Sequence, residues 1–215
     1  MSSKKRLYIS TTIVLLFGFL LIFFGTNGFQ AFTAEKARTY KLIEKQPTFP
    51  NVTLEDSKER IYDFDEFKDK YVFITFIYTA CTDVCPQLEI NMFEVYEQIP
   101  ETAIGEDIVF LSISFDPEND TPEVLDKYRT YFQSDGESWR MARINDEDEL
   151  QQLLDEFGVI VIPEEDGHFQ HNVAFYLVDR DGMLMDVLDF DAIDEAADKI
   201  NTILQEDRKK LGDAS

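Results

Sequence analysis

Tyr71-Val-Phe-Ile-Thr-Phe-Ile-Tyr-Thr-Ala-Cys81-Thr-Asp-Val-Cys85-Pro86-Gln87 decides how the rest of the chain is read. Tyr71 to Tyr78 is a run of β-branched and aromatic residues with no charge, the pattern of a buried strand. The run breaks at Thr79-Ala80, and the only two cysteines of the chain follow at once. Pro86 comes next, where proline suits the first turn of a helix. The order is strand, turn, two thiols, helix. A helix N-terminus carries free N–H groups and the positive end of the macrodipole, so this placement favours thiolate over thiol. Thiolate is both a nucleophile and a metal ligand.

Working outward, further strands and helices alternate. Asn51 to Glu55 alternates as a short strand, and Asp63 to Phe67 is a turn or short helical segment. Leu88, Met92, Val95 and Ile99 recur at helical spacing behind the thiols. Ile108 to Ser114 is a second apolar strand. Thr121 is an N-cap with Pro122 at the first helical position. Trp139 to Ile144 predicts a strand, and Asp146 caps a helix from Glu147 to Phe157 that Gly158 stops. His171 to Val178 reads as a third long strand, followed by a turn at Asp179-Arg-Asp-Gly182 and a return strand from Met183 to Asp189. Ala192 to Leu211 is a final amphipathic helix. This order predicts a thioredoxin-like α/β sandwich with a mixed central sheet covered by helices.

The N-terminus differs in kind. Residues 1–6 are a short basic flank, and from Leu7 to about Gly25 the chain is almost wholly apolar. About 19 residues of helix at roughly 1.5 Å each span a hydrocarbon core of roughly 30 Å. A cleaved signal peptide is the alternative, but the apolar run is long for one and no clean small-x-small site follows. The expectation is a transmembrane anchor over 7–28, a stalk over 29–46, the thioredoxin-like domain over 47–211 and a tail over 212–215. The basic flank stays in the cytoplasm under the positive-inside rule, which puts the domain on the extracytoplasmic side of the cell membrane.

The chain has 215 residues and a net charge of -23. Beyond the first 33 residues it carries 17 basic and 43 acidic residues, a net of -26. Nucleic-acid binding needs a basic footprint, so it is excluded. A disulfide between Cys81 and Cys85 would close so small a loop that it removes little unfolded-state entropy. Redox or metal chemistry is the better reason for the pair.

Dithiol exchangers more often use C-x-x-C. The C-x-x-x-C spacing here leaves room for a third group, and only His168 and His171 are available. In a thioredoxin-like sheet the start of the third long strand lies beside the thiol-bearing helix. That favours His171 as the partner and leaves His168 a polar loop residue. Two thiolates and one imidazole form a soft site that suits Cu(I), accepts Cu(II) with a further ligand, and is also liked by zinc. Residue types alone do not separate copper from zinc. A pair of inert buried thiols is the plainer alternative, but the loop and Pro86 do not resemble core.

Three stretches then carry a family resemblance: Thr75-Phe-Ile-Tyr-Thr-Ala-Cys81-Thr-Asp-Val-Cys85-Pro86, Ser112-Ile-Ser-Phe-Asp-Pro-Glu-Asn-Asp-Thr-Pro122, and His171-Asn-Val-Ala-Phe-Tyr-Leu-Val-Asp179. From Phe73 to about Asp189 the chain resembles the SCO/SenC family of copper-binding, thioredoxin-like assembly proteins. The resemblance implies copper held by Cys81, Cys85 and His171. It implies maturation of the binuclear copper site of cytochrome c oxidase subunit II, by delivering copper or by reducing that site's cysteines. It also implies a membrane tether; a copper chaperone is favoured over an enzyme, with thiol–disulfide reductase activity left open. Asp116 matches an aspartate the family keeps near the site; it either orients His171 and tunes the metal or merely starts an Asp-Pro turn. Asn172 departs from the serine or threonine common after the histidine, and Arg140-Met-Ala-Arg143 replaces another family segment. Neither removes a ligand, but both suit a paralogue with a different client or one used mainly for thiol chemistry. The alternative function is a thiol–disulfide oxidoreductase that needs both cysteines, as reactive pair or disulfide, and no histidine. A peroxiredoxin is disfavoured because Tyr78 stands where that pattern has threonine or serine. Met183 and Met185 read as packing on the return strand.

Overall fold

The computed structural model describes residues 3–25, 34–164 and 167–213. The chain divides into two compact units, Met1–Lys45 and Gln46–Ser215.

The first unit holds two helices, α1 (Ser3–Gly25) and α2 (Ala34–Lys45). Large apolar side chains of α1 between Tyr8 and Phe23 are exposed. Among the described residues no helix is long and apolar enough to cross a membrane. Of the expected anchor, the side chains of Leu7 and Phe24 and residues 26–28 fall outside that description, as do residues 29–33 of the expected stalk and 214–215 of the expected tail.

The second unit is built on a seven-stranded mixed sheet. Its strands are β1 (Leu54–Asp56), β2 (Ile61–Tyr62), β3 (Tyr71–Ile77), β4 (Ile108–Ser114), β5 (Trp139–Ile144), β8 (Phe175–Val178) and β9 (Leu184–Leu188), in the order β2-β1-β5-β4-β3-β8-β9. β3 runs parallel to β4 and antiparallel to β8, and β4 runs parallel to β5. Every residue of β3 and β4 is buried. Strands covered on both faces show continuous apolar runs, which is why their sequences do not alternate. Phe73, Phe110 and Trp139 are buried, with the Phe110 ring packed against the other two. The Trp139 indole N–H is satisfied by Ser112 Oγ at 3.1 Å, so its burial strands no donor.

The helices are α3 (Val84–Glu97), α4 (Pro122–Arg129), α5 (Glu147–Glu156) and α6 (Ile193–Asp213). The expected caps form. Thr121 Oγ1 accepts from Val124 N–H, and Asp146 accepts from Asp148 and Glu149 N–H. Asp179 to Gly182 turns β8 into β9, with Gly182 at φ 80° and its N–H donating to Asp179 O. The fold is thus the mixed thioredoxin-like sandwich expected from the alternation of patterns.

β1 starts at Leu54 rather than Asn51, and β2 is not among the expected strands, but the largest departure is the third long strand. His171 to Val178 is not one long strand. The chain forms a separate two-stranded hairpin, β6 (Val161–Pro163) with β7 (Phe169–His171), and enters the sheet only at Phe175. His171 therefore ends a short hairpin strand rather than opening a sheet strand. Continuous apolar character from Val173 to Val178 concealed the break, since periodicity alone does not mark where a buried run leaves a sheet.

Candidate metal centre

Parallel β3 and β4 end on the same side, and the site lies beyond their carboxyl ends, where crevices form in α/β sheets. From β3 the chain turns at once, with Cys81 N–H donating to Tyr78 O at 3.3 Å. α3 then begins with Asp83 at its N-cap, but the Asp83 side chain makes no capping bond. Instead Cys81 Sγ accepts the N–H of Cys85 at 3.3 Å. A first-turn N–H has no partner inside its own helix, so the sulfur fills the role a capping oxygen usually has. Cys81 lies before the helix and Cys85 in its first turn, and their sulfurs converge without sharing a helix face.

Both cysteines are free and buried. They are not equivalent. Cys81 lines an open cleft of about 560 Å³ with Tyr78, Asp83, Glu164, His168 and His171, whereas Cys85 is fully covered behind it. Burial pushes the Cys85 thiol well above its ordinary range, outweighing a backbone hydrogen bond from Tyr78 that favours thiolate. At Cys85 burial opposes the thiolate expected at a helix N-terminus. The dipole acts from one helix end, while loss of water acts from all sides.

The β6–β7 hairpin brings the histidine. Its imidazole packs beside the Phe115 ring at 5.0 Å between centroids and edge-on to Tyr78 at 6.1 Å. Phe169 of the same strand packs on both Tyr78 and Phe115. This aromatic wall holds the hairpin over the strand ends and removes water from His171. Burial accordingly lowers the imidazole pKa, opposed only by the backbone bond to Asn172. His171 Nδ1 lies 3.2 Å from Asn172 O. A carbonyl can only accept, so the proton sits on Nδ1 and Nε2 keeps its lone pair. Nε2 is 3.5 Å from Cys85 Sγ. The two sulfurs and a ring nitrogen of His171 all lie within 4.8 Å of one another. Bonds of about 2.0–2.3 Å to one ion place two donors at most about 4.6 Å apart, so the set needs little contraction to share an ion. It is the cysteine–histidine group found among the described residues.

The other sequence-chosen residues fall apart from this set. His168 stays in the cleft wall, its Nδ1 3.3 Å from Tyr78 OH. Asp116 is the turn residue. Both its oxygens accept from Asn119 Nδ2 at 2.9 Å, and its carbonyl accepts from Asn119 and Asp120 N–H. The bond to His171 goes instead to the Asn172 carbonyl.

Sequence reasoning passed over Asp120, which is fully buried. Its carboxylate accepts from Thr79 N–H at 3.0 Å, from Thr79 Oγ1, and from Ser114 Oγ at 2.5 Å. It thereby ties the cysteine turn to the end of β4. Burial raises its pKa while these bonds oppose the rise. Glu89, one turn along α3 from Cys85, was also passed over. It is fully buried, its pKa pushed up to about 8 by loss of water, with Ser112 Oγ its partner at 3.1 Å. A hydrophobic count around Leu88 and Met92 hid it, although an acid between two core positions was the available signal.

Residues 41–205 match the SCO1/SenC family model. The chain belongs to the SCO1/SenC family. A curated relative, the SCO1 protein homolog of Bacillus subtilis, is 29% identical over 137 residues, covering 63% of this chain and 65% of the relative. The match thus spans just under two thirds of that relative's length. Among solved structures, Bradyrhizobium japonicum ScoI with copper bound superposes with a TM-score of 0.60 at 27% identity, covering 72% of this chain and 98% of ScoI. BsSco, described as a member of the Sco family of cytochrome c oxidase assembly proteins with a disulfide switch, has a TM-score of 0.60 at 23% identity, covering 70% of this chain and 92% of that one. The second likeness supports the fold.

Proposed function

We propose that this SCO1/SenC member binds copper through Cys81, Cys85 and His171 and serves assembly of the binuclear copper site of cytochrome c oxidase subunit II. The observation that carries this reading is the convergence of two sulfurs and a lone-pair nitrogen within 4.8 Å. Two thiolates suit soft Cu(I), and the neutral imidazole supplies the nitrogen that Cu(II) also accepts. The ScoI relative with copper bound points the same way. The apolar run from Leu7 and the flank Lys4-Lys5-Arg6 favour an N-terminal membrane anchor with the domain on the extracytoplasmic side.

Anaerobic Cu(I) and Cu(II) titration of the full chain in detergent tests the ligand set. Cys81→Ser, Cys85→Ser and His171→Ala should each weaken binding sharply, and the thiolate-to-Cu(II) charge-transfer band should change in His171→Ala. Unchanged affinity in His171→Ala removes the three-ligand reading. Alkaline carbonate extraction of membranes tests the anchor: release of the chain into the supernatant counts against it.

A second reading has its own support, since Cys81 faces the cleft and Cys85 lies behind it. That is the order a dithiol reductase needs. The Cys81 thiolate attacks a client disulfide and releases one client thiol. Cys85 then displaces the second client thiol and leaves a Cys81–Cys85 disulfide, so the client gains the two electrons this pair loses. Stopped-flow exchange with a disulfide peptide distinguishes it, because His171→Ala should spare that rate.

A further inference from the structure

Asn172 joins the β6–β7 hairpin to the sheet strand that follows, and four of its polar groups are engaged. Its carbonyl accepts from His171 Nδ1 at 3.2 Å. Its N–H donates to Ile160 O at 3.3 Å, and its Oδ1 accepts Ile160 N–H at 2.6 Å. Its Nδ2 lies 3.5 Å from Tyr176 OH on β8. The amide orientation follows from the partners, because the Ile160 N–H can only donate. Ile160 stands directly before β6 and Asn172 directly after β7, so this two-bond clamp closes the open end of the hairpin. The Tyr176 contact fastens that same end to the sheet.

We propose that Asn172 is the positioning residue for His171: its side chain locks the hairpin base, which fixes its own carbonyl against Nδ1 and turns Nε2 towards the thiol pair. The inference rests on the copper reading above for its consequence, but not for its geometry. A free imidazole exchanges its proton between the two nitrogens. Only the Nδ1–H form presents an Nε2 lone pair to the sulfurs. A backbone carbonyl selects that form only while it stays in place, and the backbone after a short hairpin strand has few bonds of its own to hold it. The Asn172 amide supplies them. It offers an acceptor to Ile160 and a donor to Tyr176 at once, which an apolar side chain does not. A partner that orients a histidine ligand typically changes metal affinity by about 10- to 100-fold when it is lost.

The test uses the full chain in detergent, reduced and metal-free, at a pH where both histidines are neutral. Long-range proton–nitrogen NMR of the imidazoles reads the tautomer, with His168→Gln assigning the His171 signals. The wild type should show protonated Nδ1 and bare Nε2. Asn172→Ala should give averaged tautomer shifts and a Cu(I) affinity lower by about 10- to 100-fold. Asn172→Asp keeps an acceptor for Ile160 N–H and lets Tyr176 OH donate, so it should restore the wild-type tautomer and most of the affinity. Circular dichroism checks that each variant is folded; if Asn172→Ala is not, Asn172→Ser takes its place. Wild-type shifts and affinity in the alanine or serine variant overturn the proposal. So does averaging with unchanged affinity, or an aspartate variant as impaired as alanine. If the wild type binds no copper, the proposed function fails, while the tautomer comparison still decides whether Asn172 positions the ring.

Discussion

His171 Nε2 lies 3.5 Å from Cys85 Sγ, although the two residues are 86 positions apart in sequence. The aromatic wall makes this approach possible. Phe115, only 5% exposed, packs on the imidazole and keeps water from it. Desolvation disfavours the charged ring, which is the direction of the His171 shift. Phe115→Leu trims the wall while keeping an apolar side chain. It should raise the His171 pKa towards the ordinary value of about 6.5. An NMR pH titration of the metal-free chain measures this, and a pKa that stays or falls contradicts the account.

The two thiols should differ in reactivity. Cys81 borders the cleft, while Cys85 is fully buried with its thiol pushed towards the protonated form. Thiolate is the reactive species, and access is also needed. Native labelling of the reduced chain with iodoacetamide near pH 7.5 should modify Cys81 first, and Cys85 readily only after denaturation. Peptide mass spectrometry reads the order. Equal rates would show that the helix N-terminus governs Cys85 after all.

Asp120 and Asp116 should separate under mutation. Asp120→Ala leaves Thr79 N–H, Thr79 Oγ1 and Ser114 Oγ without their acceptor. A buried group left unsatisfied costs about 1–3 kcal/mol; Ser114 is buried and Thr79 half-buried, so a loss of about 2–3 kcal/mol is expected. Copper affinity should fall with it, because the same bonds hold the turn that carries Cys81. Asp116→Ala removes bonds to its own turn and should cost about 1 kcal/mol with little change in copper affinity. Urea unfolding and copper titration of both variants give the comparison. An Asp116 variant with the larger copper defect would reinstate it as the tuning aspartate.

These particulars show what one sequence makes legible. Buried strands announce themselves by composition, so β4 and β5 match the residues read from sequence. Caps are local chemistry, and Thr121, Asp146 and the thiol turn could be read from a few neighbours. The C-x-x-x-C spacing and the scarcity of histidine led to the three residues that the fold brings together. What stayed hidden depends on distance. The β6–β7 hairpin is set by Asn172 gripping Ile160, twelve residues away. Asp120 matters because Thr79 lies across the sheet end from it. Asp116 drew attention because a motif named it, yet its oxygens face Asn119.

Glu89 gives the pH dependence of stability. Its pKa is pushed up to about 8 by burial in the fold, against a usual value of 4.5. The folded state therefore holds this proton more tightly than the unfolded chain does. Its stabilising contribution is complete below pH 4.5 or so and is lost as pH rises through about 8. By pH 7 the loss is on the order of 3 kcal/mol, since each pH unit between the two values is worth about 1.4 kcal/mol. Glu89→Gln keeps a group that can bond Ser112 Oγ but cannot ionise. Thermal unfolding between pH 5 and 8 should show the wild type losing stability with rising pH relative to the variant, and the two curves should diverge most at pH 8. Parallel curves across that range would mean that Glu89 does not hold its proton above neutrality.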